Sequence, residues 1–358
     1  MDLGGEDMKR GWKLVLGFCL GALTLVYGQG SSFPKLHLKV VGTWGNLTMY
    51  KNHEQPFWAK VIPEKTGGQI TADVRPFNEM GLKGDEIFRL LGRGLFDVGS
   101  TVLDYVASDA PEVEGLDLAG IAPDITTARA AAEAYKPFLD EVVQKKFGIK
   151  SLAVYPYPAQ VLYCNTPIQG LRDLKGKKVR TSGRSLAEFV EALGAASVTM
   201  SFSEVPQALQ RRVIDCAITG TLSGYNAKWH EVTTHLYSLP LGWDPVMMAI
   251  NLKVWNKLDK KVQDFLLKEA AILEDAVWKS AAEETQEGIN CLMGTGTCKS
   301  GPPGRMNLVP VSQEDRALVR QILTSTVVTK WAERCGSSCA RRWNETIGKI
   351  VGVQAPAR

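Results

Sequence analysis

The stretch KGKKVRTSGRSLAEFVEALGAASVTMSFSEVPQALQRRVIDCAITG, Lys175–Gly220, decides the fold. Lys178–Thr181 is a short extended run that Gly183 breaks. Beyond it Leu186, Phe189, Val190 and Leu193 recur at i, i+3, i+4 and i+7, the stripe of an amphipathic helix. Ser185 with Glu188 three residues later reads as a capping box, and Gly194 as the stop. The next unit repeats the plan. Ser197–Met200 reads as a strand, and Ser203 caps a helix to about Arg212 with Pro206 in its first turn. Val213–Thr219 is an apolar third strand. Strand–helix–strand–helix–strand at this pace predicts α/β architecture, a parallel sheet covered by helices.

Ligands of such sheets sit beyond the carboxyl ends of the strands, where Arg180 and Thr219 fall. Arg180 also precedes a helix start, whose backbone N–H groups favour an anion. A cation so placed can hold a carboxylate without doing chemistry on it. The plainer reading is a surface arginine paired with a nearby acid.

Working outward, Leu36–Gly42 alternates as a first strand, and a helix over Pro56–Lys65 stops at Gly67-Gly68. Gln69–Phe77 is a second strand, Asp85 caps a short helix to Arg93, and Leu95–Gly99 returns as a strand. Both halves therefore share one plan. Thr126–Phe147 is helical, with Pro137 separating two pieces. From Asp259 to about Gly288, Val262, Phe265, Leu266, Leu273 and Val277 keep helical spacing without a proline. Such a helix spans roughly 45 Å, enough to lie across two domains. Cys291–Pro310 is a Gly/Pro-rich loop, and Ser312-x-x-Asp315 opens a last helix to Arg334.

The chain has 358 residues, 45% hydrophobic and 22% charged, the composition of an ordinary globular protein of about two domains. Its net charge of +4 is too mild to point to nucleic acid. Residues 1–28 read as a signal peptide. Lys9, Arg10 and Lys13 precede the apolar run Leu14–Val26, and small residues close it, so the mature chain is expected to begin near Gln29. Translation is read as starting at Met8, because the acidic residues before it do not suit a signal. Export implies an oxidising compartment, the periplasm. Of the six cysteines beyond the signal, Cys291 with Cys298 and Cys335 with Cys339 are close enough in sequence to bridge. Cys164 and Cys216 sit in apolar strands and are expected as buried, inert thiols.

Catalytic and cofactor motifs are set aside. His230 and His235 are five apart, not the four that a zinc-binding helix needs. Gly176-Lys177 lacks the register and the Ser or Thr of a phosphate loop. No G-x-S-x-G occurs, and no G-x-G-x-x-G opens a helix. No metal, cofactor or catalytic group is therefore expected.

QVLYCNTPI (160–168), DLKGKKVR (173–180), FSEVPQALQRRVIDCAITG (202–220), KWHEVTTHLYSLPLGWDP (228–245) and AINLKVWNKL (249–258) together resemble the DctP family. These are the extracytoplasmic solute-binding subunits of TRAP transporters. The resemblance runs from about Leu36 to Gly352. It implies a two-domain periplasmic binding protein fold with a cleft, hinge strands and one long helix spanning both domains. One domain would be 29–158 with 245–288, the other 159–244 with 289–358. It also implies a monomeric receptor, not an enzyme, that delivers a small organic acid to TRAP membrane subunits. Arg180 would grip the carboxylate. Gln160 stands where relatives often place a second contact, sometimes an arginine, which argues against a dicarboxylate. Thr219 stands where asparagine is common; Phe202, Trp243 and Trp44 would wall the cleft. A monocarboxylate with an apolar or aromatic body is the expected ligand. The alternatives are an enzyme acting on an organic acid, or a receptor serving a signalling partner.

Overall fold

The computed structural model describes residues 33–357. The expected signal peptide and the start near Gln29 lie outside the described residues. Two sheets organise the chain. The first has the order β2 (Ile70–Pro76), β1 (Leu36–Gly42), β3 (Val98–Val102), β10 (Val246–Asn251), β4 (Ile149–Tyr155). β1 runs parallel to β2 and β3, and β10 runs antiparallel to both its neighbours. The second has the order β11 (Asn307–Val309), β9 (His235–Gly242), β5 (Gln160–Cys164), β8 (Cys216–Gly220), β6 (Lys178–Thr181), β7 (Ala196–Thr199). The deciding stretch forms the parallel trio β7-β6-β8, as its alternation of elements predicts.

The chain passes between the sheets from β4 to β5 and returns from β9 to β10. The crossings lie side by side, with the Tyr157 N–H donating to the Trp243 carbonyl at 2.9 Å. The Lys260–Met293 helix, 34 residues capped by Asp259, spans both sheets. Trp278 Nε1 donates to the carbonyl of Val154 on β4 at 3.1 Å, and two turns further Thr285 Oγ1 accepts the Ala159 N–H at 3.0 Å, just before β5. Gly288 lies so close to the backbone of Thr221 and Leu222 that a Cβ there would strike it, which fixes glycine at this crossing. The C-terminal helices act as a strap. Trp331 and Trp343 donate to the Pro111 and Gly115 carbonyls, and Arg334 pairs with both Glu114 and Glu188.

Several local expectations change in physical context. The Ile125–Phe147 helix runs unbroken through Pro137. Pro137 and Glu133, whose carbonyl loses its partner, are both exposed, so water satisfies the freed acceptor. The Arg184–Ala192 helix is entered from Gly183, not capped by Ser185. Ser185 Oγ instead accepts the Ala119 N–H at 2.6 Å, and Glu188 pairs with Arg334. Ser201, not Ser203, forms the capping box with Glu204. The Gly/Pro-rich loop after Cys291 contains a short strand, β11.

The cysteines require one correction. Cys291–Cys298 and Cys335–Cys339 are disulfides, as their spacing indicated. Cys164 and Cys216 are not free thiols: they face each other across the antiparallel β5–β8 pair, Cα atoms 4.1 Å apart, and are bonded. Register pairs them, and register is invisible in either strand alone. Non-reducing peptide mapping should recover Cys164 and Cys216 in one linked species. Replacing both with alanine should cost about 2–4 kcal/mol of stability in denaturant titrations. Free thiols at both positions in the oxidised protein would refute the pairing.

Candidate functional site

Arg180 sits on β6 between β8 and β7 and is 1% exposed. Each neighbouring segment supplies one carbonyl to its guanidinium. Nη1 donates to Ile218 O on β8 at 2.8 Å, and Nε donates to Met200 O, just past β7, at 3.2 Å. The Trp229 ring centroid lies 6.0 Å from the guanidinium carbon. Nη2 is buried and has no hydrogen-bond partner. Tyr105 feels the guanidinium's charge, yet burial dominates and pushes its phenol up. Among the described residues no carboxylate forms an ion pair with Arg180. A buried cation that forms no ion pair is costly.

Arg180 lines a small cavity together with Trp44, Leu47, Tyr105, Tyr157, Gln160, Phe202, Thr219, Ser223 and Asp244. Five residues singled out in the sequence therefore converge: Arg180, Gln160, Thr219, Phe202 and Trp44. Gln160 and Thr219 lie on adjacent strands, β5 and β8, and the Gln160 Oε1 is buried without a partner. Trp44 stands at the centre of an aromatic collar, its ring centroid 4.7 Å from Phe77, 5.8 Å from Tyr105, 6.0 Å from Tyr157 and 5.6 Å from Phe202. Buried Glu54 anchors the loop that carries Trp44. It accepts the Thr43 N–H and hydroxyl at 2.7 and 2.8 Å and the Tyr155 hydroxyl at 2.9 Å.

Trp243 does not join this ring. Its indole N–H donates to the Ala122 carbonyl at 3.1 Å, and its backbone N–H donates to Asp117. The next residue, Asp244, faces the cavity instead. Tyr105, Tyr157, Leu47, Ser223 and Asp244 were not singled out in the sequence. Tyr105 lies just past the carboxyl end of β3, where the strand-end rule points. The start of the Arg184–Ala192 helix is also not part of the cavity. Ser182, Gly183 and Arg184 line an outer groove of about 1140 Å³, where Asp104 lies against Gly183 and accepts from the Ser182 hydroxyl at 3.4 Å.

Groove and cavity share Trp44, Tyr105 and Phe202. The cavity's free space is about 10 Å³, room for about one water.

A family model described as "Bacterial extracellular solute-binding protein, family 7" (DctP) matches residues 42–332. The chain belongs to the DctP family. This family consists of solute-binding receptors, not enzymes. The C4-dicarboxylate-binding periplasmic protein DctP of Rhodobacter capsulatus is 26% identical over 347 residues, 95% of this chain and 98% of its own length. The solved structure of DctP7, a Bordetella pertussis extracytoplasmic solute receptor binding pyroglutamic acid, superposes with a TM-score of 0.78 at 21% identity, covering 87% of this chain and 99% of that one. A TRAP periplasmic solute-binding protein from Desulfovibrio salexigens with bound orotic acid gives 0.78 at 18% identity, covering 88% and 99%. These likenesses establish the fold of TRAP solute receptors for this chain.

At and beside the cavity and groove stand three half-buried acids, Asp244, Asp117 and Asp104. Burial raises Asp244 to about 7, with the Asp117 charge adding to the rise and Arg180 opposing it. Burial raises Asp117 to about 6, and its bonds from the Trp243 and Asp244 N–H groups oppose that. Asp104 stands well above the usual range, through burial and then the charges of Glu114, Asp244 and Asp117. A carboxyl raised on folding stabilises the native state below its unfolded value and loses that contribution as pH climbs through the folded one. Asp244→Asn should therefore match wild type in Tm near pH 4, gain on it as pH rises from there to about 7, and keep a constant lead above that. A Tm difference that stays constant over that rise would contradict the raised carboxyl.

Proposed function

We propose that the protein captures a small organic acid in the periplasm and hands it, as a monomer, to the membrane subunits of a TRAP-type transporter. One observation carries this reading: a buried guanidinium lining a cavity, fixed by two carbonyls, whose third nitrogen has no partner. Such a fork is preorganised for a carboxylate. Gln160 and Thr219 add hydrogen bonds at the polar end. Trp44 and Phe202, with Tyr105, enclose the ligand body.

We read residues 29–158 with 245–288 as one moving domain and 159–244 with 289–358 as the other. The adjacent crossings at Tyr157 and Trp243 would be the hinge. Relatives are named for C4-dicarboxylate and pyroglutamic acid. Arg180 is the single cationic side chain among the cavity's described lining residues, which favours one carboxylate and an apolar or aromatic body.

The test is a thermal-shift screen of purified protein, refolded to strip carried ligand, followed by calorimetry. Carboxylates should stabilise the protein where their amides do not. Arg180→Met should weaken the best of them by about 2–5 kcal/mol. Carboxylate affinity unchanged in that variant would end the proposal. A dicarboxylate far ahead of its monocarboxylate analogues would end the single-carboxylate part of it.

A further inference from the structure

The cavity holds a second charge that a simple carboxylate leaves unanswered. Asp244 lines the same space as Arg180, yet no ion pair joins them among the described residues. Only the backbone N–H of Asp244 has a hydrogen bond there, to Asp117 Oδ2 at 2.7 Å. That bond belongs to a built turn. The two Asp117 oxygens also accept the Trp243 N–H at 3.0 and 2.9 Å, and Asp244 is held at φ 47°, a left-handed conformation that residues with a Cβ seldom adopt. Backbone strain of this kind persists where the surrounding structure enforces it, and it concentrates at ligand clamps. Here one carboxylate enforces the turn that presents another to the cavity.

The wall therefore has an excess of acceptors. Asp244 and the buried, unpartnered Gln160 Oε1 both need hydrogens, while the unpartnered Arg180 Nη2 needs an anion. A ligand bringing only a carboxylate adds a second negative charge beside the Asp244 carboxylate. A ligand bringing a carboxylate and a nitrogen-bound hydrogen answers both walls and balances the charge. We infer that the receptor's ligand is bipolar: its carboxylate meets Arg180 and its ammonium or amide N–H donates to Asp244. This rests on the organic-acid reading above and narrows its substrate class.

The experiment uses matched acids that differ only at this group, with affinities measured by calorimetry. One set is L-proline, L-pyroglutamate, the ring-oxygen lactone analogue of pyroglutamate and cyclopentanecarboxylate. The other is L-phenylalanine, phenyllactate and 3-phenylpropionate. In at least one set a nitrogen-bearing acid should bind at least about 30-fold more tightly than its nitrogen-free partners. Asp244→Asn keeps a residue that tolerates the left-handed turn. It should cut that preference by about tenfold or more, the nitrogen-bearing acids losing affinity and the nitrogen-free acids gaining it as the second negative charge goes. Nitrogen-free acids binding as tightly as their partners, or a preference that survives in Asp244→Asn, would overturn the inference and leave the organic-acid receptor standing. A hydroxy acid ahead of its amino acid would also overturn it, in favour of an O–H donor. If no carboxylate in these sets or the wider screen binds, the organic-acid reading fails and this inference falls with it.

Discussion

The buried guanidinium of Arg180 is the constraint around which the site is organised. Moving a full charge out of water without a counterion costs several kcal/mol. Two carbonyl dipoles offset part of that, and both come from the strands or strand ends flanking β6. They exist as partners only because β7-β6-β8 forms in parallel register. The sheet thus pins the guanidinium in one orientation before any ligand arrives, so little side-chain freedom is lost on binding.

The other wall depends on the first sheet and the hinge. Glu54 ties Thr43 to Tyr155 on β4, so the loop presenting Trp44 moves with that sheet. Phe202 opens the short helix after β7 and moves with the second sheet. Their edge-on contact is therefore a contact between the two halves. The crossings are joined by the Tyr157–Trp243 hydrogen bond, and the return crossing also carries Asp244. The long helix and the Arg334 strap, bonded to Glu114 and Glu188, limit how those halves separate.

Much of this was legible in the sequence wherever a property was local. Periodicity gave the strand–helix alternation of the deciding stretch, and the strand-end rule singled out Arg180 and Thr219 before any contact was known. What escaped were properties set by partners distant in the chain. Ser185 satisfies every local criterion for a cap, yet its hydroxyl serves Ala119. Cys164 and Cys216 look like isolated core thiols until antiparallel register sets them opposite each other. The sequence reading placed Trp243 in the cleft, one residue from Asp244, which lines it. Both residues lie between strands, Asp244 in the left-handed region, and the Asp117 bonds to their two N–H groups hold the turn that sets which neighbour faces inward. Pro137 shows the converse, a strong local signal overridden because its freed carbonyl points to water.

The small size of the cavity bears on how selectivity arises. With room for about one water, the collar fills the space a ligand body would occupy. Trp44 and Phe202 already contact each other, and an aromatic pair of this kind is worth about 0.5–1.5 kcal/mol beyond its buried area. A ligand body wedged between them exchanges one set of apolar contacts for another, so the net gain from burial alone is small. The polar ends are different. Arg180 Nη2 and Gln160 Oε1 have no protein partner among the described residues, so a ligand group that reaches them displaces no protein hydrogen bond. Discrimination between acids of similar bulk should therefore rest on how well their polar ends match these walls, with the collar setting the upper limit on size.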